Sequence, residues 1–185
     1  MSENVKKNLL IEPHYLPSFS WMKLIAGYDI IYLDISENYI KASYRNRCII
    51  SGPNGLLNLS IPVKKNRNER NKTGTIAIDN SFSWQKNHWM TLTSCYRRSP
   101  YFEFFEDMFS PIYLKKYQRL IDIDLDLINL LFKLTEIKSE IRFTDSYIEP
   151  GTGGFDDFRD KIYPGTINPL KLNFEKIHTG LQRQV

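Results

Sequence analysis

Between Tyr44 and Val63, two runs of strand-forming residues are separated by Gly52-Pro53-Asn54-Gly55, and that turn constrains the chain more than any other feature. Glycine and asparagine tolerate the positive φ angles of a tight reversal, and proline fixes its own φ, so the flanking runs fold back on each other. Tyr44–Ser51 is the expected outgoing strand and Leu56–Val63 the return. The two-residue period puts Leu57, Leu59 and Ile61 on one face. A hairpin with an apolar face needs a cover, and helices must supply it.

Two downstream segments have the spacing to do so. Asp124 is placed to cap a helix carrying Leu125, Ile128, Leu131, Phe132 and Ile137. Trp84 to Phe102 reads as another, following Ser83 and broken by Pro100. At about 100° per residue, Trp84, His88, Trp89, Leu92, Cys95 and Tyr96 fall in one stripe, while Lys86, Asn87, Thr93 and Arg97 fall outside it. More helix is expected around Phe102–Phe109 and Tyr113–Tyr117, and a short one carries Trp21, Leu24 and Ile25 after Ser18 or Ser20. Leu9–Glu12, Asp29–Asp34, Thr75–Asp79 and Ile141–Tyr147 read as strands. After Glu149 the periodicity fails, and Gly151-Thr152-Gly153-Gly154, Pro164 and Pro169 mark 149–185 as loop-rich. The pattern predicts one α+β domain over 1–185, a mixed or antiparallel sheet with its hairpin at about 44–63 packed by amphipathic helices.

Composition narrows the function. At 185 residues the chain supports one core, and 42% hydrophobic with 25% charged residues is ordinary for a globular protein. A net charge of +4 suits an anionic ligand without requiring one. The first residues have too short an apolar run for a signal peptide, and no segment approaches the ~18 apolar residues of a membrane span. A cytoplasmic protein is therefore expected, with Cys48 and Cys95 as reduced thiols outside any Cys-x-x-Cys spacing.

Several machines are absent: the Gly-x-Ser-x-Gly elbow, the phosphate-binding Gly-x-x-x-x-Gly-Lys-Ser/Thr loop and the dinucleotide Gly-x-Gly-x-x-Gly. Asp122, Asp124 and Asp126 have calcium-loop spacing, but Leu127 and Lys133 stand where Gly and Glu are required. His14, His88 and His178 are dispersed, so neither a metal site nor a cofactor is expected. Lys64–Lys72 is a basic loop with no recognition helix or stacking motif beside it, and nucleic acid is not an expected partner.

Three places retain chemical interest. Arg45 and Arg47 flank Asn46 at the opening of the hairpin, where two guanidiniums either clamp an anion or pair with Asp29 or Asp34 at the sheet edge. His14 lies between Pro13 and Pro17 in a loop leaving a strand end, either a site residue or a surface histidine. His88, near Lys86 and on the stripe of Tyr96, is either a satisfied core histidine or the lining of a pocket.

The succession of these pieces resembles the WbqC-like family, bacterial proteins associated with O-antigen and other surface-polysaccharide gene clusters. The likeness runs over residues 9 to 148: Pro13-His14-Tyr15-Leu16-Pro17 before the Trp21 helix, Asp29-Ile30-Ile31-Tyr32-Leu33-Asp34, Asn38-Tyr39-Ile40-Lys41, Tyr44-Arg45-Asn46-Arg47, Leu59-Ser60-Ile61-Pro62-Val63, Trp84-Gln85-Lys86-Asn87-His88-Trp89 and Tyr96-Arg97-Arg98-Ser99-Pro100-Tyr101-Phe102. The family often has Gln where this chain has Glu12, and it closes on a more hydrophobic segment than Leu172 to Val185. The resemblance implies a cytoplasmic role in surface glycan assembly on a sugar nucleotide, either as an acyl or aminoacyl transferase acting on an amino sugar or as a non-catalytic binding partner. In the transferase reading His88 is the general base with His14 as a second catalytic candidate. Arg45 and Arg47 then hold a diphosphate or carboxylate, Asn46 donates to an oxyanion, and Lys86 and Tyr96 contact substrate.

Overall fold

The structure is a computed structural model describing residues 6–64 and 71–163. The expected 44–63 hairpin forms as β3 (Arg47–Gly52) and β4 (Gly55–Ser60), paired antiparallel with Cys48 opposite Leu59 and Ile50 opposite Leu57. Gly55 takes φ 122°, a conformation that a side chain would strain, which explains glycine at the turn.

A second sheet carries four parallel strands in the order β5-β2-β1-β6. β1 (Asn8–Ile11) and β2 (Ile30–Leu33) are joined by α1 (Phe19–Ile25), as parallel neighbours require a crossover. Ser18 caps α1, its hydroxyl accepting from the Trp21 amide at 3.4 Å. β5 (Glu140–Phe143) pairs with β2, and β6 (Asp156–Asp157) pairs with the far side of β1, Leu10 opposite Asp157. The fold is thus mixed α+β, with the antiparallel hairpin apart from a parallel sheet. The loop-rich segment supplies β6, while 164–185 lies outside the described residues, as does most of the Lys64–Lys72 loop.

α2 (Trp84–Tyr96), α3 (Phe102–Leu114) and α4 (Leu120–Thr135) follow the hairpin. Two expectations change here. Thr75–Asp79 is not a strand: a 3-10 turn occupies Thr73–Thr75, and Ala77 and Ile78 make only isolated bridges to Arg119 and Val63. Asp124 does not cap α4, because the helix starts at Leu120 after an extended Arg119, which puts Asp124 inside it and buried.

The core has two parts. One gathers the hairpin and α2 around Tyr15, Ile61, Ile78 and Trp84 with Leu120, Ile123 and Leu127 of α4. The other packs Leu9, Ile11, Ile31 and Leu33 of the sheet against Trp21 and Ile25, with Ile128 and Phe132 of the same α4. No helix of the described residues is long and apolar enough to cross a membrane.

Candidate functional site

At the carboxyl edge of the parallel sheet, three strands deliver a polar residue one position after they end, and β6 does so two positions on. Glu12 follows β1, Asp34 follows β2, Thr144 follows β5, and Phe158-Arg159-Asp160 follow β6. The chain leaves β1 toward β2 but reaches β6 on the other side only after β5, so the order reverses at β1. That reversal is where open α/β sheets form a ligand crevice.

The residues interlock. Asp34 Oδ1 accepts from the Ser36 and Glu37 amides at 3.0 Å each and from the Thr144 hydroxyl at 2.9 Å. Its Oδ2 accepts from Arg159 at 2.6 Å, and Arg159 also grips Asp157 at 2.6 and 3.0 Å. Arg45 forks onto Glu37 at 2.6 and 2.8 Å and reaches Asp160 at 2.9 Å. Thr73 donates to Glu37 at 3.2 Å. Glu12 pairs with His14 Nε2 at 3.0 Å and accepts the Asp160 amide at 3.1 Å.

Burial sets the electrostatics. Desolvation raises the Glu37 carboxyl, and the Arg45 guanidinium only partly offsets it. Glu12 is also desolvated, but His14 and Arg45 outweigh that and hold its carboxyl below the usual range. Desolvation disfavours the charge on Arg45, yet Glu37, Glu12 and Asp160 keep it firmly protonated.

A cavity of about 400 Å³ opens here, lined by Glu37, Tyr147, Asp157, Arg159, Asp160 and Lys161 with Pro150 and Gly151. Arg159 lies 5.3 Å from the Tyr147 ring centroid. Asp160 is half-exposed and held at φ 56°, unusual for a residue with a side chain. Its Oδ1 accepts from Arg45, and Oδ2 has no bond among the described residues. Three carboxylates, two cations and one aromatic face can accept from hydroxyls or an ammonium and stack on a ring.

The residues singled out from sequence scatter between this edge and the hairpin. Arg45 is 1% exposed and braces the cavity wall through Glu37 and Asp160. His14 is buried between the Trp21 and Tyr44 rings, its Nδ1 without a partner among the described residues, and joins the site through Glu12. Asn46 ties the hairpin base, donating to the Ile61 carbonyl at 2.9 Å. Arg47 is half-buried with Nε unpartnered, and Lys86 is exposed on α2.

His88 is buried in the other core, 6% exposed. Its Nδ1 is hydrogen-bonded to the Tyr15 hydroxyl at 2.8 Å, and the Tyr15 and Tyr113 hydroxyls are hydrogen-bonded to each other at 3.0 Å. Burial pushes this imidazole down to about 4. Tyr96 accepts from the Ser51 amide at 3.1 Å and lines a different, apolar cavity. Sequence reading passed over Glu12, Asp34, Glu37, Asp157, Arg159 and Asp160. The available signal was an acidic residue just after each apolar run, at Glu12 and Asp34.

The α+β domain thus carries a carboxylate-rich crevice at the switch point of its parallel sheet. The chain belongs to the WbqC-like protein family, which it matches over residues 12–155. It is 32% identical over 114 residues to a Mycobacterium tuberculosis protein named Uncharacterized protein Rv1507c, a match covering 60% of this chain and 48% of that protein. The chain thus spans about half the length of that curated relative. No solved structure matches the chain.

Proposed function

We propose that the protein works in the cytoplasmic assembly of a surface polysaccharide, binding a nucleotide-linked amino sugar in the crevice and transferring an acyl or aminoacyl group to its amine. The observation that carries this reading is the cavity lining. Glu37, Asp157 and Asp160 offer acceptors for sugar hydroxyls and an amine, Tyr147 offers a stacking face, and Lys161 faces an anionic tail.

Asp160 is the base of choice in this scheme. Arg45 and the Glu12-bound amide fix it, which leaves Oδ2 to take a proton. The amine nitrogen attacks the acyl carbonyl and forms the new C–N bond. The donor's leaving group departs with its bonding pair, and the ammonium proton passes to Asp160. Glu12 and His14 act beneath as positioning residues.

A non-catalytic binding role in the same pathway is the second reading, favoured by how completely Arg45 and Arg159 are neutralised by protein carboxylates. The test is incubation with nucleotide-linked amino sugars and activated acyl and aminoacyl donors, read by mass spectrometry alongside calorimetry. Transfer is expected, lost in Asp160→Asn with sugar-nucleotide affinity retained. Saturable binding without product across the panel would assign the accessory role, and absence of binding would refute both readings.

A further inference from the structure

Every carboxylate oxygen in the crevice lining but one accepts from a guanidinium. Both oxygens of Glu37 take the Arg45 fork, both oxygens of Asp157 take Arg159, and Asp160 Oδ1 takes Arg45. Asp160 Oδ2 is the exception among the described residues, on a side chain that lines the cavity and is 52% exposed. Its position is fixed from two sides, because Arg45 holds the other oxygen and Glu12 accepts the Asp160 amide at 3.1 Å.

The surrounding charge favours a cation at that oxygen. Glu37, Asp157 and Asp160 line the cavity with only Arg159 and Lys161 opposite in sign. Behind them stand Asp34 and Glu12 against Arg45, so five carboxylates face three cations, and His14 beside Glu12 supplies at most a fourth. An anion brought to Asp160 meets that surplus, whereas an ammonium relieves it. A divalent metal is a poorer fit, because it needs several oxygen ligands, and no three acidic, histidine or cysteine side chains are grouped to hold one among the described residues. Tyr147 supplies what an organic cation uses in addition. Its ring lines the same cavity and is 46% exposed, and Arg159, next to Asp160 in sequence, lies 5.3 Å from its centroid. The ring already carries one cation and has exposed surface for another.

We propose that the crevice selects its ligand by a free basic amine, held in its ammonium form between Asp160 Oδ2 and the Tyr147 ring, and discriminates against the same ligand once that amine is acylated. The inference deepens the amino-sugar reading of the crevice and rests on it for the sugar. The bound ammonium returns one proton to solvent before its nitrogen can attack, and the acylated product, no longer charged at that nitrogen, is held less tightly and leaves.

The experiment is titration calorimetry of the full chain with two matched pairs: uridine diphosphate glucosamine against its N-acetyl form, and glucosamine against N-acetylglucosamine. In each pair the free amine binds about tenfold more tightly, the worth of a charge-assisted hydrogen bond. Asparagine tolerates the φ of 56° at this position, so Asp160→Asn folds as the parent does, and it abolishes the difference within each pair. Tyr147→Leu, on an exposed ring, loses about fivefold for the free amine, and Tyr147→Phe loses nothing. Equal affinity within each pair, or a difference that survives Asp160→Asn, would overturn the inference while leaving sugar-nucleotide binding in place. Amine-selective binding of glucosamine without binding of either nucleotide sugar would support the inference and refute the sugar-nucleotide reading. Absence of binding by all four probes would overturn both.

Discussion

Replacing Arg45 by Met separates a ligand clamp from a structural brace. The side chain is buried and makes three charge-assisted bonds, two to Glu37 and one to Asp160. Methionine keeps much of the aliphatic stem but leaves the buried Glu37 carboxylate with only the Thr73 hydroxyl. Orphaning one partner of a buried pair costs about 3–5 kcal/mol. In a domain of this size each kcal/mol moves the melting temperature by about 2–4 °C, so a fall of roughly 6–20 °C is expected. Burial already raises Glu37, so it escapes the penalty by taking a proton, and the loss shrinks as the pH falls. Arg45→Met/Glu37→Gln recovers more than half of it, because no unpaired charge remains. Thermal melts followed by circular dichroism at neutral and mildly acid pH measure all three variants. A single variant melting within roughly 2 °C of the parent, with sugar-nucleotide affinity down tenfold, would sink the brace argument in favour of the clamp.

Other perturbations probe the buried groups. Asp124 has no partner for either oxygen among the described residues, and Asp124→Leu raises stability by about 1–3 kcal/mol in urea titrations at neutral pH. Burial raises its carboxyl well above the usual range, so its contribution favours the fold in acid and is lost as pH climbs past about 4; the leucine variant removes that dependence. His88 runs the other way: lowered from 6.5 to about 4, it supports the fold above 6.5, and roughly 3 kcal/mol is lost as pH falls through that window. His88→Gln flattens the fall in urea midpoint, and an unchanged acid slope would show that another group titrates. Tyr15→Phe strips a bonding partner from both His88 and Tyr113 and costs about 1–3 kcal/mol by chemical denaturation.

The hairpin was legible because its signals are local: Gly55 at a positive φ and alternation over six residues on each side. The helical stripe at Trp84 was legible for the same reason, and it placed His88 correctly on the inward face. The crevice was not. Glu12, Asp34 and Asp160 meet only through parallel register among strands far apart in sequence, which no short-range pattern encodes. β6 is two aspartates, Asp156 and Asp157, and owes its extended form to pairing with β1. Arg45 precedes β3, which starts at Arg47, so strand alternation does not set its direction and it turns to Glu37. Asp124 read as a cap because apolar periodicity marks a helix face more sharply than its first residue, and α4 begins four positions earlier.

α4 contributes Leu120, Ile123 and Leu127 to the hairpin core, and Ile128 and Phe132 to the sheet core. A shared beam of this kind denies the two halves separate melting points, because neither keeps its packing once the helix lets go. Trp84 in one half and Trp21 in the other therefore report the same transition. Proton uptake at His88 in the hairpin half then lowers the melting point reported by Trp21 in the other half, although the imidazole is no part of that core.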